Sequence, residues 1–139
     1  MNEEIIAKAT EIVAKRMRET GYCTLALIDI DGYPTAATIS PSKTDGIKWI
    51  TFCTGLDSPK INRIEKCNRA SVCFAALDHN ITLVGTIEEL IDPATKKEMW
   101  YEGLEEHFSG SEDPNYCVLR FTTERYNLLV DWKEAKGNL

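Results

Sequence analysis

The sequence predicts a mainly β, α+β fold: an antiparallel barrel or sandwich carrying peripheral helices. Three observations predict it. Apolar runs of strand length recur, about seven in all, against about three segments with a helical period. The connections between the strand-like runs are mostly short turns, which favour hairpins over a doubly wound parallel sheet. The chain has 139 residues, 43% of them hydrophobic and 27% charged, a globular composition at a length suited to one domain over 1–139.

Residues 2–20 read as a helix. Ile5, Ala9 and Ile12, with Ile6, Val13 and Met17, form an apolar stripe, Glu3 and Glu4 suit its positive end, and Gly21 stops it. Residues 22–28 and 33–40 read as a hairpin around the turn Asp29-Ile30-Asp31-Gly32. Those aspartates lack the ligand spacing of a calcium loop. Pro34 places its end of the second strand at an edge or a bulge. Residues 41–46 read as a polar loop, and Trp49, Ile50, Phe52 and Cys53 as a buried strand.

A short helix opens at Ser58-Pro59-Lys60 and continues through Ile61 and Ile64. Residues 70–77 form the next strand, Asp78-His79-Asn80 a turn, and residues 81–90 a long strand that Gly85 interrupts with a bulge or close approach. Asp92-Pro93 opens a helix predicted to reach about His107, with Met99, Trp100 and Leu104 facing the core. A loop over 108–115 precedes two strands, 116–122 and 126–132, read as a final hairpin. The polar tail from Lys133 reads as mobile.

Composition excludes several functions. A formal net charge of −6 argues against a general nucleic-acid binder, which needs a basic face. No apolar run approaches the ~20 residues of a membrane-spanning helix, and the N-terminal stretch is amphipathic and charged, unlike a signal peptide; the expectation is a cytoplasmic protein. The five cysteines (Cys23, Cys53, Cys67, Cys73 and Cys117) show no C-x-x-C pairing and read as reduced packing residues. Only two histidines exist: His79 reads as a turn residue and His107 as a cation at a helix end, so a metal site has little support. No nucleophile elbow, P-loop or dinucleotide fingerprint is present. Glu88-Glu89 and Glu105-Glu106 are sequence neighbours whose side chains diverge, poor candidates for paired acid–base work.

The chemistry concentrates where strand 49–53 hands over to the short helix. Ser58 suits the N-cap, and Pro59 suits the first helical position, where its missing N–H is harmless. A hydroxyl, several free backbone N–H groups, the positive end of a helix dipole and the Lys60 ammonium converge there, chemistry suited to a phosphate monoester. An ordinary capped helix start with solvated lysines has the same sequence.

Over residues 31–90 the chain resembles the pyridoxamine 5′-phosphate oxidase-like, FMN-binding split-barrel superfamily, in particular its small general-stress-protein-26-like branch. The matching features are Asp31-Gly32-Tyr33-Pro34, Phe52-Cys53-Thr54, Ser58-x-Lys60, Asn68-Arg69, and Asn80 with Gly85. The resemblance implies an antiparallel split β-barrel with peripheral helices. It also implies a homodimer that binds FMN at the subunit interface.

By position, Thr54, Ser58 and Lys60 would hold the phosphate, while Ala37, Thr38, Ile39 and Ser40 would run along the flavin ring, with Cys53 nearby. Asn80 would offer a carboxamide to the flavin's pyrimidine edge, and Trp132 would stand against the neighbouring subunit's flavin. There are departures. Arginines expected at the Ala37 and Pro59 positions are missing, so the phosphate pocket is less cationic. No Arg-x-His follows Trp132, which argues against pyridoxamine phosphate oxidation itself. The expectation is an FMN-dependent oxidoreductase acting on a small acceptor, the flavin supplying the reactivity. The alternative is a non-enzymatic flavin or haem carrier, or a stress-related sequestering protein, on the same barrel; deazaflavin in place of FMN also stays open.

Overall fold

A computed structural model describes residues 2–18 and 21–139. Among them are eight strands, all in one antiparallel sheet, and three α-helices. The strands are β1 (Cys23–Ile28), β2 (Pro34–Ile39), β3 (Lys43–Asp45), β4 (Trp49–Gly55), β5 (Arg69–Ala76), β6 (His79–Leu90), β7 (Tyr116–Val130) and β8 (Lys133–Asn138); the helices are α1 (Asn2–Ala14), α2 (Pro59–Lys66) and α3 (Pro93–Met99). Along the sheet the order is β2-β1-β5-β6-β7-β4-β3, with β8 also pairing β7. The fold is the expected mainly β antiparallel split barrel with helices on its periphery. Among the described residues no helix is long and apolar enough to cross a membrane.

Strand periodicity builds the barrel directly. Leu25 and Leu27 of β1, Val72 and Phe74 of β5, Ile81 and Leu83 of β6, and Phe121 and Leu128 of β7 alternate inward and are almost fully buried. Ile5, Ala9 and Val13 of α1 join that cluster. A smaller cluster, made of Met99, Leu104, Tyr116 and Val118, packs on the outer side of β7. The N-terminal half of β7 is therefore apolar on both faces, which is why residues 116–119 are all buried.

Pro34 begins an edge strand, as predicted. The turn before it is held by the Asp29 carboxylate, which accepts the N–H groups of Asp31 and Tyr33 at 2.9 Å each. Gly85 marks a bulge, where the β6–β7 register shifts between Val84 and Gly85. A side chain there would strike backbone, since an ideal Cβ lies 1.9 Å from the Thr122 carbonyl oxygen.

Five expectations need correction. The first helix ends at Ala14, where the N–H groups of Lys15 and Arg16 bond back three residues; residues 19–20 of its predicted span lie outside the described residues. The loop over 41–46 contains β3, three residues paired with the start of β4. The helix opened at Asp92 stops at Met99, because Trp100 is extended and Gly103 at φ 110° redirects the chain into a short 3-10 turn, Leu104–Glu106.

The strands read over 116–122 and 126–132 are one strand. Thr123, in the polar stretch mistaken for a turn, is anchored by its N–H on Lys48 O and its hydroxyl on Ile47 O. The tail read as mobile is β8, reached through a tight turn with Asp131 at φ 51° and Trp132 at φ 66°. That turn matches the left-handed conformation favoured in two-residue hairpins, but without the usual Asn-Gly signal.

Candidate functional site: a cleft between two free strand edges

The split in the barrel follows from what does not pair. β2 has β1 on one side and no strand on the other among the described residues. β3 pairs only with Trp49, Ile50 and Thr51, so the Cys53–Gly55 end of β4 has a second free edge. Between these edges lies a cavity of about 540 Å³, lined on the strand side by Ile39, Ser40, Cys53, Thr54 and Gly55. Tyr101, Leu104, His107 and Phe108 form its other wall, and Asp57 and Asn115 its rim.

Register shows which face of β2 the cleft uses. Thr35, Ala37 and Ile39 stand opposite Leu27, Leu25 and Cys23, whose side chains are buried in the barrel. Directly opposed residues point to the same face, so these three face inward too. Yet Ala37 is exposed. An inward-facing but uncovered position means that the slot beside it is open. From Thr35 to Ser40 the strand edge runs about 17 Å, enough for a flat, elongated ligand.

The α2 start lies at the Gly55 end. Gly55 lets the loop close tightly, since a Cβ would come within 2.5 Å of the Asp57 carboxylate. Asp57 and Asn115 pair reciprocally: Asn115 Nδ2 donates to Asp57 Oδ1 and the Asp57 N–H donates to Asn115 Oδ1, each at 3.2 Å. Ser58 caps α2 as predicted, its Oγ accepting the Lys60 N–H at 3.2 Å, and Pro59 follows at the first position. Ile61 and Ile64 bury against the barrel, while Lys60 and Arg63 are half-buried on the flank of that stripe.

One part of the expected anion site fails. The amides of the first turn are not free: Pro59 has none, that of Lys60 serves Ser58 Oγ, and that of Ile61 bonds Ser58 O. Serine cap and proline together satisfy the helix start, so an anion here would be met by side chains, with Ser58 keeping its own O–H to donate.

The ten predicted residues divide into groups. Ile39, Ser40, Cys53 and Thr54 share the cavity wall. Ser58 and Lys60 open α2 just beyond the rim residue Asp57, and Ala37 is an exposed inward position of β2, but none of these three lines the cavity. Thr38 points to the opposite, outer face of β2, paired with Thr24. Asn80 and Trp132 are elsewhere. Asn80 is exposed on the outer face of β6, its Oδ1 accepting from Cys73 Sγ at 3.0 Å. Trp132 is 79% exposed at the β7–β8 turn, not in a strand. Both lie toward the end of the sheet where the Asp131 N–H donates to Asp78 O, and one chain does not bring them to the cleft.

Burial pushes the Cys53 thiol above its ordinary pKa, with hydrogen bonds from Ser42 and Tyr116 only partly opposing it. Its Sγ lies 3.8 Å from the Tyr116 hydroxyl, itself held neutral by burial. Cys53 is therefore a neutral wall residue, not a thiolate nucleophile. Asp113 is held below the usual carboxylate range by N–H groups of Ser109 and Asn115, which stiffens the loop presenting Asn115.

Sequence reasoning missed Tyr101 and Asn115, and gave His107 only a helix-end role. The wall they form depends on α3 stopping early. His79 also needs correction: it is a buried β6 residue, 8% exposed at its side chain, with Nδ1 2.8 Å from Asp78 Oδ1 and Nε2 2.8 Å from an Arg16 guanidinium nitrogen. The five cysteines are free, and no cluster that could hold a metal ion occurs among the described residues.

An open antiparallel barrel with an elongated cleft at its split defines a split-barrel protein. The profile of the pyridoxamine 5′-phosphate oxidase family matches residues 9–129, and the chain belongs to that family. No curated protein matches the sequence.

Among solved structures, a Clostridium acetobutylicum protein related to general stress protein 26 of B. subtilis, of the pyridoxinephosphate oxidase family, is 27% identical with a TM-score of 0.84, covering 100% of this chain and 97% of that one. General Stress Protein 26 from Bacillus anthracis is 20% identical with a TM-score of 0.74, covering 97% of this chain and 98% of the other. A heme binding protein from Mycobacterium smegmatis shares the fold at 14% identity and a TM-score of 0.75, covering 96% of this chain and 57% of that chain.

Proposed function

We propose that the chain binds FMN in the cleft between β2 and β4 and works as a flavin-dependent oxidoreductase on a small acceptor. The observation carrying this reading is the cavity between the free edges of β2 and β4, flanked by the exposed inward position Ala37 and followed along the chain by the capped, lysine-bearing start of α2: room for a flat ring next to groups for a phosphate. The residues fit the group. Ile39, Ala37 and the free edges of β2 and β4 offer apolar surface with fixed backbone hydrogen-bonding groups, as a planar heterocycle requires. Ser58, Thr54 and Lys60 offer two hydroxyls and a cation to the phosphate. When bound, FMN would supply the hydride and electron chemistry, and the chain's residues would orient it and exclude water. Cys53, kept neutral, contributes shape and not nucleophilicity.

A homodimer completes the proposal. The outer face of the β2-β1-β5 stretch carries Thr24, Ala26, Ala36, Thr38, Ser71 and Cys73 in register, small and uncharged. Such a surface suits close approach of a second sheet. Asn80 and Trp132 border it, and in the dimer they would reach the partner's cleft, which accounts for their distance from their own.

Haem is the competing ligand, favoured by one observation: His107 lines the cavity. Titration with FMN, followed by quenching of flavin fluorescence, decides. The reading expects saturable binding that Lys60→Ala weakens by about 10- to 100-fold, the loss of a charge-assisted contact. A Soret band on adding haem, with no response to FMN, would replace flavin by haem.

A further inference from the structure

On the reading just given, the phosphate end of the cleft needs more charge than Lys60 supplies. A phosphomonoester carries about −1.5 to −2 near pH 7. The first-turn amides of α2 are committed to Ser58 or absent at Pro59, so backbone donors do not make up the difference. The remaining cations of α2 are Arg63 and Lys66. Lys66 is tied down at the far end of the helix, its ammonium donating to the Ile30 carbonyl.

Arg63 stands differently. It follows Lys60 by three residues, a neighbouring place on the helix surface, and is half-buried. Long helical side chains lean toward the helix N-terminus, which carries the guanidinium back over the turn that begins with Ser58. It reaches β2, where one terminal nitrogen donates to Thr35 Oγ1 at a long 3.4 Å. Thr35 is on the inward row of β2, two residues before Ala37, and its own hydroxyl donates to Leu27 O at 3.0 Å. A guanidinium has five N–H donors, so one weak bond leaves most of its capacity unused. The nearest carboxylate of the loop, Asp57, is paired with Asn115.

We propose that Arg63 is the second cation of the phosphate site, closing on a phosphomonoester from α2 against Thr35. The test compares FMN with riboflavin, which lacks the phosphate, in fluorescence titrations of the full chain. Arg63→Ala is expected to weaken FMN by about 10- to 100-fold and leave riboflavin binding unchanged, and Arg63→Lys should recover part of the loss.

Equal losses for both ligands would overturn the proposal, since Arg63 would then be a strut between α2 and β2. So would no loss for either. Should Arg63→Ala fold poorly in thermal melts, Arg63→Gln keeps the side chain's aliphatic packing on α2 while removing the charge, and the same selective loss is expected of it. Absence of FMN binding by the unaltered protein would remove the cleft reading itself, whereas a Lys60→Ala effect without an Arg63→Ala effect removes only this inference.

Discussion

Replacing Ser58 by alanine and, separately, by aspartate separates capping from ligand binding at the start of α2. Ser58 sits at φ −68°, ψ 141° with its Oγ 3.2 Å from the Lys60 amide, a well-formed cap. Alanine removes that acceptor and should cost about 1 kcal/mol, or about 4 °C in melting temperature. The cost reaches the barrel, because α2 fixes Ile61 and Ile64, 6% and 5% exposed, on its surface. Aspartate is as good a cap as serine and favours the positive helix end, so Ser58→Asp should keep wild-type stability.

Toward FMN the order reverses. Alanine loses one hydrogen bond to a charged group, worth about 1.5–3 kcal/mol. Aspartate adds a carboxylate facing the phosphate, a repulsion of about 4 kcal/mol at 4 Å and an effective dielectric of 20, hence at least about a 100-fold loss after screening. Urea unfolding and FMN titration on the same preparations read both quantities. A stable Ser58→Asp protein that binds FMN like wild type would refute the placement of a phosphate at Ser58.

Three further outcomes are expected. Gly85→Ala should destabilise by about 3 kcal/mol or more, beyond ordinary overpacking, because the new Cβ would lie 1.9 Å from Thr122 O and 3.1 Å from the Glu124 nitrogen, both backbone; unchanged urea midpoints would disprove the close approach. Burial pushes Cys23 up to about 12 and Cys117 up to about 11 from an ordinary value of 9.0. Above pH 9 the unfolded thiols therefore release protons that the folded ones keep, and stability should fall as pH rises, by up to about 1.4 kcal/mol per unit for each group; Cys23→Ala should flatten the slope between pH 9 and 11, and an identical slope would contradict the assignment. Ser71→Arg puts a charge on the outer face proposed for the dimer, and sedimentation should then show a monomer; an unaltered dimer would place the interface elsewhere.

Most strands were legible because period-2 alternation is a local property. Cys23, Leu25 and Leu27 alternate cleanly, Pro34 reads as an edge, and Gly85 reads as a bulge from one residue each. The errors come from long-range pairing. β3 is three residues long and exists because β4 offers it an edge. β8 is polar, Lys133-Glu134-Ala135-Lys136-Gly137-Asn138, and buries only Ala135 in the main core, so nothing in its composition distinguishes it from a loose tail.

At the site, Ser58 and Pro59 announced the helix start. The same two residues consume the amides that were expected to be free, a consequence of cap geometry invisible in the pattern. Asn115 meets Asp57 across 58 residues of chain, and no local signal carries such a pairing. Asn80 and Trp132 lie away from the cleft of their own chain, on an exposed β6 position and in the β7–β8 turn, a placement that a motif match along one chain does not encode.

The most direct measurement is the identity of the small molecule released when the purified protein is denatured, read by absorbance and mass spectrometry. The account predicts FMN, released in a ratio of about one per chain, one for each β2–β4 cleft. Haem in its place, or a colourless protein that takes up no FMN on titration, would contradict it.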